Sequence, residues 1–380
     1  MLAMLVAACA DGATITVRKD GAGDYSIIQQ ALDAAAAGDT ILIGPGEYLE
    51  HSAVRFPAWS HDIESYANVT VDDLTIIGAG SDLTFIGPTT YSGDPVTSSP
   101  KAITYLEGGE IRLQDLCLRN CRTGAFVHGR LFIDHSALFD NYINVWWEAV
   151  GSGGWIRDSQ FDVVTPNYPI SIDIINSGGA GNIAIADCTV NHSEVLIDGI
   201  GGAAFRDCTF SNYVGALEIY GTAIVSLSRC VMRDISIIGI VMAMGTGAVC
   251  NLEDCTVLGG QRALAQDQVG GAFHITNSRL EGGYVATVTL NGWSAACSIH
   301  NSDLIKGSGL AVRCDESTPR VNHDFRNNYW GTADEATIQS WITDHSDDAA
   351  IGATILYSPF AGQSVPAEST SWGSLKALWR

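Results

Sequence analysis

Residues Ile183-Ala184-Ile185-Ala186-Asp187-Cys188-Thr189-Val190 carry a pattern that recurs along the chain: apolar, any, apolar, any, Asp or Asn, Cys or Ser, any, apolar. It returns as Ala203-Ala204-Phe205-Arg206-Asp207-Cys208-Thr209-Phe210. Further copies turn on Arg229-Cys230, Asp254-Cys255, Asn277-Ser278 and Asn301-Ser302. Earlier copies turn on His135-Ser136 and Asp158-Ser159, with a looser Asp115-Leu116; the last turns on Arg326-Asn327. The second residues of these pairs are spaced 20, 23, 29, 20, 22, 25, 23, 24 and 25 positions apart. The period is therefore about 23 residues, with one longer loop at 160–180. Apolar residues alternate inside each copy, which makes the segments strands. Glycine pairs such as Gly178-Gly179, Gly201-Gly202 and Gly282-Gly283 supply corners. Short strands at this period, with little helical pattern between them, predict an all-β fold. The specific expectation is a single-stranded right-handed parallel β-helix of about 10–12 coils, each rising by roughly 4.8 Å.

In such a stack Ser136, Ser159, Cys188, Cys208, Cys230, Cys255, Ser278, Ser302 and Asn327 share one position. They form an inward ladder of small side chains. The cysteines are then buried thiols, because in-register stacking does not present the paired geometry of a disulfide framework. No Cys-x-x-Cys with matching His spacing argues for a zinc site.

The 380 residues are 46% hydrophobic and 16% charged, which excludes disorder for most of the chain and suits one large repeat domain. No run of 18 apolar residues exists, so no transmembrane helix is expected. Lys plus Arg is 20 against 42 Asp plus Glu, a net charge of −22. Such a surface repels nucleic acid, and repels polyanionic sugars unless a cation intervenes.

Residues 1–13 read as a signal or lipobox-like segment and linker, with Cys9 of Val6-Ala7-Ala8-Cys9 the candidate for lipidation. Residues 14–362 are the β-helix domain with its caps. Residues 363–380 are a linker and a short amphipathic tail, with Trp372, Leu375 and Trp379 on one face. On this reading of the ends, the expectation is an exported lipoprotein or surface-held protein at the cell surface, the outer membrane or beyond; a frayed apolar N-terminus and a terminal helix docked on the domain are the plain alternatives. An N-terminal capping α-helix is expected over residues 24–38. It has a capping box from Ser26 to Gln29, an apolar face of Ile27, Ile28, Ala31, Leu32 and Ala35, and Gly38 as its stop.

Residues Ile15 to Tyr25, Ile28 to Asp33 and Gly38-Asp39-Thr40-Ile41-Leu42-Ile43-Gly44-Pro45-Gly46-Glu47-Tyr48 together resemble the opening of pectin-lyase-like right-handed β-helix proteins. Pectin methylesterases begin in this way, as do exported bacterial β-helix-repeat proteins of unassigned activity. Asn327-Asn328-Tyr329-Trp330-Gly331-Thr332, Glu335 to Asp348, and Ser358-Pro359-Phe360 resemble the closing segment of the latter group. The resemblance spans residues 14–362 and implies the fold. It does not carry an activity. The Asp-Phe-Ile-Phe-Gly strand of the methylesterases and the Asn-Thr-Asp and Gly-Asp-Asp elements of the polygalacturonases are missing. Gln114-Asp115 is a Gln-Asp pair but reads as an ordinary repeat. Ile133-Asp134-His135 faintly resembles a pectate-lyase strand, without a basic partner placed by the sequence.

Counting from the ladder brings Glu148, Asp173, Asp198 and Glu218 to comparable positions on one outer face, beside Trp146, Trp147 and Tyr220. Stacked carboxylates are unfavourable unless a cation bridges them or one is protonated. The four carboxylates are therefore candidate Ca²⁺ ligands, and all seven residues are candidate sugar contacts. A solvated acidic face is the plain alternative. His128, His192, His274, His300 and His323 read as surface or turn histidines. Asp344, Asp347 and Asp348 read as a polar loop, with Ca²⁺ binding the sharper alternative. Asn68-Val69-Thr70 and Asn191-His192-Ser193 match the glycosylation acceptor pattern. Three functions follow in order: polysaccharide binding along the acidic and aromatic face, polysaccharide lyase or glycoside hydrolase activity, and a structural or adhesive spacer.

Overall fold

The structure is a computed structural model. It describes residues 12–364 apart from 56–61, 91–99, 150–152, 164–169, 177–181, 200, 212–214, 244–246, 268–270, 291–294 and 316–320. Cys9 and the tail with Trp372, Leu375 and Trp379 lie outside the described residues. The described strands form three long sheets. The first has 14 strands, from Thr14–Val17 to Thr354–Leu356; the second has 11, from Gly46–Tyr48 to Asp303–Lys306; the third has 13, from Ser52–Val54 to Ile342–Thr343. All pairings are parallel except that of Ser52–Val54 with Ile63–Val69. One coil is Asn182–Ala186 in the first sheet, Thr189–Asn191 in the second and Glu194–Gly199 in the third. The next coil repeats it in register as Gly202–Arg206, Thr209–Ser211 and Gly215–Ile219. About 11 such turns stack into a parallel β-solenoid.

The two residues of each repeat pair have separate physical jobs. The first residue turns the corner in the left-handed region. Asp115, His135, Asp158, Asp187, Asp207, Arg229, Asp254, Asn277, Asn301 and Asn327 have φ between 45° and 64°. All but His135 and Arg229 are Asp or Asn, the side chains that tolerate this region best. The second residue points inward and satisfies backbone that the corner leaves unpaired. Ser136 Oγ accepts from Leu116 N at 3.3 Å, Ser159 Oγ from Ser136 N at 3.1 Å, and Ser302 Oγ from Ser278 N at 3.0 Å. The same groups donate to the carbonyl two residues back. Ser136 Oγ lies 2.8 Å from Asp134 O, and Cys188 Sγ lies 3.1 Å from Ala186 O. Ser and Cys are both small groups that donate and accept, so they interchange along the column, while Leu116 fills the same place as a buried apolar side chain. Cys188, Cys208, Cys230 and Cys255 are buried and free, and burial pushes the Cys188 thiol well above its usual range.

The last rung differs from the sequence expectation by one residue. Asn327 is the corner residue, at φ 64°. Asn328 is the ladder residue: its Oδ1 accepts from Ser302 N at 2.9 Å. The final pair is thus Asn327-Asn328. The supposed long loop at 160–180 also contains a third-sheet strand, Ile170–Asn176.

The helix near the N-terminus runs Ile28–Ala34 and buries Ile28, Ala31 and Leu32 in the core. It has no side-chain cap; Ile27 holds the N-cap position, so the Ser26 capping box does not form. Gln29 instead holds a strand, its side chain bonding both Asn68 N at 2.9 Å and Asn68 O at 3.1 Å. The helix ends at Ala35, three residues before Gly38, which turns at φ 88° into the strand Thr40–Ile43.

Three polar residues take other places than the sequence implied. His323 is fully buried, its Nδ1 accepting from Cys297 N at 3.1 Å. Burial pushes its pKa down to about 4. Asp344 is buried and accepts from Ser346 N at 2.8 Å and Ile355 N at 2.8 Å, so it pins a turn and its oxygens are already engaged. Asn68 is fully buried, which rules it out as a glycan acceptor in the folded chain.

Candidate functional site

Alternation along a strand decides which side chains leave the core. In the third sheet Val145, Trp147, Ile172, Ile174, Val195, Ile197, Leu217 and Ile219 point inward and are buried. The residues between them point outward. The register lines Phe126, Trp146, Asp173, Leu196, Glu218 and Val241 into one outward row across consecutive coils. A second row, two residues further along each strand, holds His128, Glu148, Ile175 and Asp198. Tyr220 follows Glu218 by two residues and donates its hydroxyl to Glu218 Oε2.

Glu148, Asp173, Asp198 and Glu218 therefore share one outer face, as expected, but not one column. They alternate between two rows, with Ile175 and Leu196 between like positions. This stagger relieves the repulsion that a straight column would impose. It also spreads the oxygens: among the described residues, no three of these carboxylates bring ligand atoms within 4.8 Å of one another. The arrangement is not a gathered Ca²⁺ site.

Trp147 is the one candidate the structure removes from the face. Adjacent residues of a strand must face opposite ways, so Trp146 and Trp147 cannot both reach solvent. Trp147 is fully buried and its Nε1 donates to Gly129 O at 2.8 Å. Trp146 is the outward residue, packed edge-on against Phe126 with ring centroids 5.4 Å apart.

The open part of the face is bounded along the solenoid axis. On one side Thr104 and Phe126, in the same outward row, are buried. On the other side Val241, Ala265 and Thr289 continue that row and are also buried. Between them Trp146, Asp173, Leu196 and Glu218 are partly exposed, and Asp198 is exposed. The exposed stretch covers four coils, roughly 15–20 Å at the usual inter-strand spacing.

Sequence reading missed Glu194 and read His128 only as a surface or turn histidine. Glu194 is two positions before Leu196 and points the same way. Its pKa is pushed up to about 7 by burial and by Glu218. His128 stands beside Glu148 in register and points its Nδ1 toward Leu106 O at 3.4 Å. Alternation alone would have flagged both, had the strand boundaries been known. Asp173 is pushed up to about 6 by burial, Asp198 and Glu148. Burial and the bond to Glu218 push the Tyr220 hydroxyl upward as well.

The raised carboxyls make this face a stability cost at neutral pH. Glu194 binds its proton more tightly folded than unfolded, where its pKa is near 4.5. Its contribution is full below pH 4.5 and is lost as pH rises through about 7. After discounting for partial solvation, Glu194→Gln is expected to raise stability by about 1–2 kcal/mol at pH 8 and to leave it nearly unchanged at pH 4. Urea unfolding at the two pH values checks this; an equal shift at both would show that charge is not the cause.

A second polar cluster lies on the first sheet. Ligand atoms of Asp134, His135 and Asp158 fall within 4.8 Å of one another. Arg157 already holds both Asp134 oxygens, at 2.9 and 2.7 Å. The basic partner that sequence could not place for Asp134 is thus Arg157, one coil on, and the pair reads as a structural clamp.

No protein-family model and no curated protein matches the chain. Solved structures do. The chain matches the catalytic unit of the thermostable GH87 α-1,3-glucanase from Streptomyces thermodiastaticus strain HF3-3 with a TM-score of 0.55 and 11% identity, over 96% of this chain and 72% of that one. It also matches the A-module of mannuronan C-5 epimerase AlgE4 from Azotobacter vinelandii, with a TM-score of 0.44 and 14% identity, over 89% and 95%. Pectin methylesterase from carrot gives a TM-score of 0.28 and 14% identity, over 90% and 88%. The chain thereby shares its fold, a parallel β-solenoid, with the glucanase unit.

Proposed function

We propose that the protein binds a neutral polysaccharide along the open stretch of the third sheet. The observation that carries this reading is the bounded outer face: one indole (Trp146), one phenol (Tyr220) and five carboxylates (Glu148, Asp173, Glu194, Asp198, Glu218) on consecutive coils. Aromatic faces take the apolar side of sugar rings and carboxylates accept from hydroxyls. The excess of negative charge disfavours polyuronates and favours uncharged chains. The glucanase likeness, a protein named for action on α-1,3-glucan, agrees with this substrate class.

A second reading, glycoside hydrolysis, draws on the Asp173 carboxyl, pushed up to about 6 between Asp198 and Glu148. A carboxyl that keeps its proton beside other carboxylates is the pairing that acid-assisted cleavage uses. One experiment separates the two. Trp146→Ala and Glu218→Ala are expected to weaken retention on neutral glucan in affinity electrophoresis by about tenfold, or roughly 1.4 kcal/mol. Asp173→Asn is expected to keep retention, and to abolish any release of reducing ends by the wild-type chain. Unchanged retention in both alanine variants, across a panel of neutral glucans, would dismiss the face as the binding site.

A further inference from the structure

The three lysines of the described residues sit in contrasting surroundings. Lys19 Nζ lies 2.6 Å from Glu50. Lys306 Nζ donates to Gly307 O at 3.1 Å and Gly309 O at 3.0 Å. Lys101 is partly buried and begins the third-sheet strand Lys101–Tyr105, one coil before Phe126. Its Nζ hangs 5.2 Å from the centre of the Phe126 ring, and no carboxylate or carbonyl among the described residues receives it. Phe126 belongs to a small apolar cluster on the outside of the sheet, with Ile63, Leu106, Val54 and Trp146. The neighbouring cation is Arg122, whose backbone N–H donates to Pro100 O at 3.1 Å.

Burial and the like charge disfavour the ammonium form, and they outweigh the attraction of the Phe126 ring face for a cation. Apolar surroundings remove its hydration, and among the described residues no oxygen accepts its protons. The pKa is pushed down to about 8 by burial first and Arg122 second. An unpaired amine in an apolar recess next to a cation is the arrangement that makes lysine a nucleophile.

We propose that Lys101 is a covalent capture site for carbonyl compounds, namely aldehydes and the open-chain ends of reducing sugars. The free amine lone pair attacks the carbonyl carbon to give a carbinolamine. Loss of water then leaves an imine between Nζ and that carbon. The carbonyl oxygen departs in the water, and no oxidant or reductant is needed. Delivery of sugar ends to Lys101 rests on the binding face above, because Phe126 and Trp146 connect the two. Capture of a small aldehyde does not.

The test traps the imine on the full chain with cyanoborohydride at pH 7 and maps the modified peptides by mass spectrometry. With glyceraldehyde, Lys101 is expected to label roughly tenfold faster than Lys19 or Lys306. Lys101→Arg, which keeps the cation, is expected to lose this fast label. Equal rates at the three lysines, or a fast label that survives Lys101→Arg, would overturn the proposal. With maltotriose, Lys101 is expected to label in the wild type and several-fold less in Glu218→Ala, while glyceraldehyde labelling stays the same in both. A maltotriose rate unaffected by Glu218→Ala would count against the binding face and leave the reactive amine standing.

Discussion

Trp147→Ala is expected to lower the unfolding free energy by about 3–5 kcal/mol. Two losses add. The indole fills the core beside Gly154, where even a Cβ would come within 2.8 Å of the ring. Truncation therefore leaves a large cavity enclosed by coils that cannot collapse independently. The Gly129 carbonyl also loses its buried donor. Trp146→Ala is expected to cost far less, since that ring is partly exposed and packs only on the small outer cluster around Phe126. Guanidinium unfolding of the two variants gives the comparison. Similar midpoints for both would contradict the inward and outward assignment on which the binding face depends.

Asn328→Ala is expected to cost about 3 kcal/mol or more, against about 1 kcal/mol for Asn327→Ala. Asn328 is fully buried and serves three backbone groups at once. Its Oδ1 accepts from Ser302 N at 2.9 Å, while its Nδ2 donates to Ile299 O at 2.6 Å and Phe325 O at 2.9 Å. Alanine leaves all three without a partner where water cannot replace it. Asn327 contributes only its tolerance of a left-handed backbone, at φ 64°. Thermal melts of the two variants decide the register of the last rung, and a larger loss for Asn327→Ala would restore the pairing with Arg326.

The contrast between these neighbours shows where local pattern stops being informative. In most other copies the pair is Asp or Asn followed by Cys or Ser, and position in the pair is obvious. In Arg326-Asn327-Asn328 two asparagines compete for one slot, and only the backbone angle and the hydrogen bonds separate them. The capping box failed for a related reason. Ser26 and Gln29 have suitable spacing, but Gln29 has a stronger use in bonding the buried backbone of Asn68, which is distant in sequence.

The acidic face was half visible. Its carboxylates were named from their distance to the ladder, since a solenoid converts sequence period into spatial neighbourhood. Which of Trp146 and Trp147 faces out, and which carboxylates share a row, depended on strand register, and each insertion shifts that count. Nothing in the immediate sequence of Glu194 marks it, and nothing in that of His128 sets it apart from the other scattered histidines.

The repeat alone determined the architecture: a residue that accepts a left-handed corner, then a small donor and acceptor, recurring about every 23 residues, has few other three-dimensional solutions. The tertiary structure decided what lies on the outside. Inward positions are constrained by one requirement common to every coil and so repeat in sequence, whereas outward positions answer to neighbours one and two coils away and carry no shared signature.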